Sequence, residues 1–117
     1  MVVNNFFIQI IYIMVEITET EAKMLADKLN VDLSVLSLEM WIYAIDVELE
    51  HGSRNLITNV TDDNLEITAK IALAHLLEFP DYYTRLKQME EDADLYWENR
   101  VKPSILKTNE YVSSIAN

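Results

Sequence analysis

The stretch that decides the fold runs from Asp46 to Tyr83 and reads DVELEHGSRNLITNVTDDNLEITAKIALAHLLEFPDYY. It holds both histidines, the single glycine and one of the two prolines of the chain. Glycine after a helix and proline at the start of the next one are typical helix boundaries. Gly52 and Pro80 therefore divide the stretch into the end of one helix, a polar loop, a whole helix and the start of another.

A capping box predicts a first helix before this stretch. Thr18 is followed three residues later by Glu21, so each side chain can bond the backbone N–H of the other residue. The predicted helix ends near Leu29. Its buried face consists of small and branched apolar side chains, Ala22, Leu25, Ala26 and Leu29.

The second predicted helix begins near Ser34 or Ser37 and ends at His51. Gly52 follows directly, where a glycine favours a left-handed C-terminal cap. The buried face of this helix is an apolar stripe at helical spacing, formed by Leu38, Trp41, Ile42, Ile45 and Leu49.

The third predicted helix is capped by Asp62 or Asp63 and runs to Phe79. It is apolar nearly all round, which is typical of a central helix covered on both faces. Pro80 then ends it and opens the next helix. We expect Tyr82 and Tyr83 to pack their rings across this junction with their hydroxyls outward.

The fourth predicted helix spans roughly residues 81–100, and Pro103 separates it from a short last helix at 104–115. Its inward side chains are expected to be Tyr82, Leu86, Met89, Ala93 and Tyr96. The predicted fold class is all-α, a compact bundle of about four helices with an apolar N-terminal arm. The domains are the arm, residues 1–15, and one helical domain, residues 16–117.

Composition excludes several functional classes. The 117 residues carry nine basic and twenty acidic side chains, a formal charge of −11 that leaves no basic footprint for nucleic acid. With no cysteine there is no thiol nucleophile, and a single glycine excludes a glycine-rich phosphate loop. No catalytic residue is indicated. A soluble, cytoplasmic protein is expected, located in the host cytoplasm or a virion if a virus encodes it.

The apolar run from Phe6 to Val15 is broken only by Gln9 and is too short to span a bilayer. It is an ordered arm over an apolar patch, a targeting segment, or an upstream extension if translation begins at Met14. As an arm it would contact a protein partner or a second copy of the chain. The residues predicted to make that contact are Phe6, Phe7, Ile10, Ile11 and Tyr12.

Two carboxylate–imidazole pairs suggest a metal site as the alternative function. Glu48 and His51 are three residues apart, as are His75 and Glu78, and this spacing places both members of a pair on one helix face. Di-metal helical bundles use such Glu/His ligands for iron or manganese, and zinc is a further candidate.

The same residues have simpler explanations, in which no cofactor binds. His51 stands at the C-terminus of a helix, where a protonated imidazole interacts favourably with the helix dipole. His75 would lie at the edge of the core, bonded to Glu78 or to a carbonyl. A straight helical hairpin would also set the two histidines on the order of 18 Å apart.

The segments VELEHG, TNVTDDN and KIALAHLLEFPDYYTRLKQMEEDAD, in this order, resemble an uncharacterised family of small acidic helical proteins from bacteria, phages and large DNA viruses. The resemblance covers about Glu16 to Trp97. The chain has Ala69 where the family has a glycine and Asn64 where it often has a proline. The resemblance implies no activity, ligand or catalytic residue. It implies a viral or phage origin and a role inside a larger assembly.

These observations lead to one expected function. We expect a non-catalytic structural or accessory protein that acts through protein–protein contacts. Its acidic faces suit a basic partner.

Overall fold

Four helices form the part of the chain that the computed structural model describes, residues 17–107. They are α1 (Glu19–Lys28), α2 (Leu38–Ser53), α3 (Leu65–Glu78) and α4 (Tyr82–Trp97). The predicted all-α bundle is confirmed. The N-terminal arm and residues 108–117 lie outside the described residues, and 101–107 contain no helix. Within residues 17–107 no helix is long and apolar enough to cross a bilayer.

Side-chain caps fix the starts of α1 and α2 as predicted. The backbone N–H of Glu21 donates to Thr18 Oγ1 over 3.1 Å, and the N–H of Thr18 donates to Glu21 Oε1 over 2.9 Å. These bonds from the Thr18 backbone and hydroxyl lower the pKa of the Glu21 carboxyl. Ser37 caps α2 by accepting from the N–H of Met40 over 3.1 Å.

The start of α3 differs from the prediction. Asn64 is the cap, and its Oδ1 accepts from the N–H of Ile67 over 2.9 Å. Asp62 and Asp63 lie before it in the left-handed region, with φ of 50° and 61°. Because a cap residue has extended backbone, neither aspartate can fill that role.

Gly52 is another difference, because it does not end its helix. It lies inside α2, which continues to Ser53, and its φ is not positive. A Cβ at Gly52 would stand 3.3 Å from Asn59 Oδ1 and 3.4 Å from Thr61 Oγ1. The glycine therefore supplies space for the loop between α2 and α3, which folds back against the helix.

The core combines a few large side chains with small ones at the helix contacts. Trp41, Ile45, Thr68 and Tyr83 are the largest fully buried side chains. The indole N–H of Trp41 donates to the carbonyl of Ala22 over 2.9 Å, which ties α2 to α1. Fully buried alanines let the backbones approach closely: Ala22, Ala26, Ala44, Ala69 and Ala72.

Burial on α3 and α4 corrects two predictions. The third helix was expected to be covered on both faces, but Ile67 and Leu77 are 46% and 76% exposed. Its packing is chiefly against α2. On α4, Tyr82 and Leu86 pack against the core as predicted, whereas Met89 and Tyr96 are exposed.

Candidate functional site

An aromatic cluster joins α3 and α4 across Pro80. The His75 ring stacks on Tyr82, with centroids 4.3 Å apart and planes at 11°. The Tyr83 ring packs edge-to-face with the Tyr82 ring, with centroids 5.0 Å apart. It also packs edge-to-face with the ring of Tyr43 on α2, with centroids 6.4 Å apart. The predicted packing of the two tyrosines across the junction is confirmed, and His75 has aromatic neighbours.

The hydroxyl of Tyr83 corrects the expectation that both tyrosine hydroxyls point outward. Tyr83 is only 1% exposed, and among the described residues its hydroxyl has no hydrogen-bond partner. Burial raises the pKa of this hydroxyl, and the charges of Glu48 and Tyr82 raise it further. The group therefore stays protonated at neutral pH, which makes it an unsuitable general base.

A groove with a cavity volume of ≈ 520 Å³ lies between α2 and α4. We call it the α2–α4 groove. Its apolar floor consists of Ile42, Tyr43 and Val47. Its remaining lining is mostly acidic and consists of Glu39, Asp46, Glu50 and Glu90, with His51 and Arg54 at one end. Arg54 is paired with Glu50 over 2.6 Å.

A smaller cavity of ≈ 370 Å³ lies where the loop returns to α2. Glu48, His51 and Gly52 line it from α2, Thr61 from the loop and Ile71 from α3. Thr61 is buried, and its hydroxyl accepts from the N–H of Asp63 over 3.1 Å. The loop is thus held by its own side chains and closes one wall of this cavity.

The four residues of the predicted metal site lie in different surroundings. Glu48 and His51 line the loop cavity together, whereas His75 stacks on Tyr82 and Glu78 is exposed. Within residues 17–107 no group of three or more Asp, Glu or His side chains is placed to hold a metal ion.

Metal binding therefore stays a prediction, and metal analysis decides it. Protein purified without a chelator or affinity tag should be compared with its His51→Ala/His75→Ala variant. A stoichiometric metal that the variant lacks would establish the site. Trace metal at the same level in both proteins would exclude the predicted metal site.

The second half of α4 presents apolar side chains at helical spacing. Met89, Ala93 and Tyr96 are separated by four and three residues, so they share one face, which we call the distal face. All three are exposed, Met89 by 62% and Tyr96 by 53%. The guanidinium carbon of Arg100 lies 4.0 Å from the centroid of the Tyr96 ring. The Trp97 ring packs edge-to-face with the Tyr96 ring, with centroids 4.9 Å apart. Tyr96 is therefore held in place although it is exposed.

Two of these features were not identified in the sequence. Asp46 follows the buried Ile45 on α2, and its carboxylate accepts from the N–H of Ile17 over 3.0 Å. Tyr83 precedes Leu86 by three residues, a spacing that places it on the packed side of α4. That spacing is the signal that could have placed Tyr83 in the core. No sequence pattern specifies the bond between Ile17 and Asp46.

A family model described as a protein of unknown function, DUF5661, matches residues 22–92. This range contains α2, α3, the aromatic cluster and most of the lining of the α2–α4 groove. No curated protein and no solved structure matches the chain.

Proposed function

The chain belongs to the DUF5661 family of proteins of unknown function, and we propose that it is a non-catalytic structural or accessory component that acts through protein–protein contacts. We assign the contact to the distal face of α4. One observation carries the proposal: Met89, Ala93 and Tyr96 continue the apolar stripe of α4 beyond the core and remain exposed.

The geometry of the distal face suits recognition of a helix by an apolar groove. Helical ligands of this kind are read through anchors at positions i, i+4 and i+7, which is the spacing of Met89, Ala93 and Tyr96. Tyrosine is also among the side chains that contribute most to binding at interfaces. Because Arg100 and Trp97 already hold the Tyr96 ring, little side-chain entropy is lost when a partner covers it.

The charge around the distal face indicates the chemistry of the partner. Glu90 and Asp92 flank the face on its two sides, and the chain as a whole carries −11. A second copy of α4 would bring like charges together, which disfavours its pairing with itself. The proposed partner is therefore a different protein, with an apolar groove rimmed by lysine or arginine.

The biological setting forms a separate part of the proposal. We propose a virus- or phage-encoded assembly, and this part rests on the sequence resemblance alone. The contact residues predicted in the arm lie outside the described residues and remain a prediction: Phe6, Phe7, Ile10, Ile11 and Tyr12.

The test compares three versions of the full chain as baits in the extract of its native host. The first is the wild type, the second is Met89→Glu/Tyr96→Glu, and the third is Leu95→Glu. Leu95 is 70% exposed and lies on the opposite side of α4, so it is the matched control. Bound proteins are identified by quantitative mass spectrometry, and each candidate is then purified and its affinity measured directly.

The proposal expects one partner that binds the wild type and the Leu95→Glu variant with similar affinity. Its affinity for the double variant should fall at least about 100-fold, as the loss of two anchor side chains implies. Equal binding by all three proteins, or no direct binding by any purified candidate, would show that the distal face is not the contact.

A further inference from the structure

The α2–α4 groove combines an apolar floor with an excess of negative charge. Ile42, Tyr43 and Val47 form the floor. The charged lining consists of four carboxylates and one guanidinium, those of Glu39, Asp46, Glu50, Glu90 and Arg54. A ligand with an apolar body and a positive charge is complementary to this combination.

Two of the four carboxylates already have partners inside the chain. Asp46 accepts from a backbone N–H over 3.0 Å, and Glu50 pairs with Arg54 over 2.6 Å. Glu39 and Glu90 form no hydrogen bond or ion pair within residues 17–107. The charge available to a ligand is therefore that of Glu39, on α2, and Glu90, on α4.

The burial of Glu90 differs from that of its neighbours on α4. Glu90 is half-buried, whereas every other residue from Lys87 to Tyr96 is exposed. A carboxylate loses hydration when it is partly buried, and a bound cation compensates for that loss through a charge-assisted hydrogen bond. Glu90 thus indicates where the positive charge of a ligand binds.

The size of the groove favours a small molecule over a helix. Along α2 the lining extends from Glu39 to Arg54, about 22 Å at the rise of an α-helix, with the bond between Ile17 and Asp46 at its middle. A helix of this length and roughly 10 Å diameter has a volume of about 1,700 Å³. The groove holds only ≈ 520 Å³. Sites for small molecules typically hold about 300–1,000 Å³.

We propose that the α2–α4 groove binds a small organic amine. The ammonium group pairs with the carboxylate of Glu90, and Glu39 adds to the negative potential that attracts it. The alkyl or aryl body of the amine covers Ile42 and Val47 on the floor. This inference is independent of the proposed function, because no residue of the distal face lines the groove.

The first test titrates the isotope-labelled full chain with hexylamine, butylamine or hexanoate and follows the amide NMR signals. Hexylamine should shift the signals of the groove lining in a saturable manner, with a Kd on the order of 1 mM for a probe this small. Butylamine lacks two methylenes and should bind about tenfold more weakly. Hexanoate has the same chain length but the opposite charge, so it should cause no such shift.

Three results of this titration would overturn the proposal. The first is the absence of a saturable shift with hexylamine. The second is equally tight binding of hexanoate, because the groove would then select apolar surface alone. The third is a larger occupant in the same spectra. A lysine-bearing amphipathic helical peptide that displaces hexylamine at micromolar concentration would assign the groove to a protein partner, and groove signals that shift with protein concentration alone would assign it to a second copy.

The second test separates the groove from the overall charge of the chain. Glu39→Gln/Glu90→Gln removes two carboxylates of the groove, whereas Glu91→Gln/Asp94→Gln removes two exposed carboxylates of α4 that do not line it. Both variants carry the same net charge. The groove variant should weaken hexylamine binding at least about tenfold and the control variant less than about twofold.

Equal weakening by both variants would show that net charge alone attracts the amine, and it would overturn the proposal. Circular dichroism of both variants verifies that they are folded.

Discussion

The two halves of α4 carry one continuous apolar stripe but have different surroundings. In the first half, Tyr82, Tyr83 and Leu86 pack against α2 and α3. In the second half, Met89 and Tyr96 lie on the continuation of that stripe and are more than half exposed. Helical periodicity therefore shows which face of a helix is apolar but not what covers it. Cover depends on how far the neighbouring helices extend.

The largest expected effect compares two leucines of α4. Leu86→Ala should lower the free energy of unfolding by about 2 kcal/mol, because it removes a side chain packed on the core. Leu95→Ala should change it by less than about 0.5 kcal/mol, because Leu95 is 70% exposed. Urea denaturation of both variants measures the difference. Similar losses would mean that the second half of α4 is packed in solution.

The second comparison uses two tyrosines of α4. Tyr83→Phe should raise the free energy of unfolding at neutral pH by about 1 kcal/mol, because it removes a buried hydroxyl that has no partner within residues 17–107. Tyr96→Phe should leave it nearly unchanged, since this side chain is exposed. The same denaturation experiment provides both values. A destabilised Tyr83→Phe variant would show that the hydroxyl forms a hydrogen bond in solution.

The raised pKa of Tyr83 predicts a smaller effect at alkaline pH. In the unfolded chain this hydroxyl ionises near its ordinary pKa of 10.0, whereas in the folded chain it stays protonated. Its contribution to stability is thus intact below pH 10 and is lost as the pH rises above that value. Thermal unfolding between pH 8 and about 11 should show a steeper loss for the wild type than for Tyr83→Phe. Parallel curves would contradict the pKa shift.

The smallest effect separates burial from position along α4. Arg85 is adjacent to Leu86, but it is exposed and pairs with Asp81 over 2.9 Å. Arg85→Ala should therefore lower the free energy of unfolding by no more than about 0.5 kcal/mol. The loss should shrink further in 1 M salt, which screens surface charges. A loss comparable to that of Leu86→Ala would mean that the first half of α4 is stabilised by more than its apolar packing.

Local signals predicted the helices well because they act over a few residues. The capping box at Thr18 and the boundary at Pro80 specify their bonds or backbone directly and needed no knowledge of the remaining fold. Asn64 was missed because Asp62 and Asp63 are also good cap residues, and only their left-handed backbone excludes them. Gly52 was misassigned for a different reason. Its role is set by a loop that the sequence could not place.

The candidate sites could be predicted only in part, because they depend on contacts between distant segments. The junction at Pro80 allowed the packing of Tyr82 against Tyr83 to be anticipated, but not the stacking of His75 on Tyr82, seven residues later. The α2–α4 groove joins Glu90 to residues on α2 that are 39 to 51 positions earlier. The bond between Ile17 and Asp46 spans 29 positions. Periodicity within a helix carries no information about either.

The return of the loop onto Gly52 also affects the order in which the chain folds. The connection between α2 and α3 spans only residues 54–64, so closing this pair costs less loop entropy than a contact between more distant segments. These two helices also share the most extensive packing between helices. Contacts this local in sequence typically form within microseconds to milliseconds. We therefore expect a helical hairpin to form first on a growing chain, with α4 added afterwards. Since α4 ends at Trp97, a partner that reads its outer half can recognise only chains whose synthesis has passed this helix.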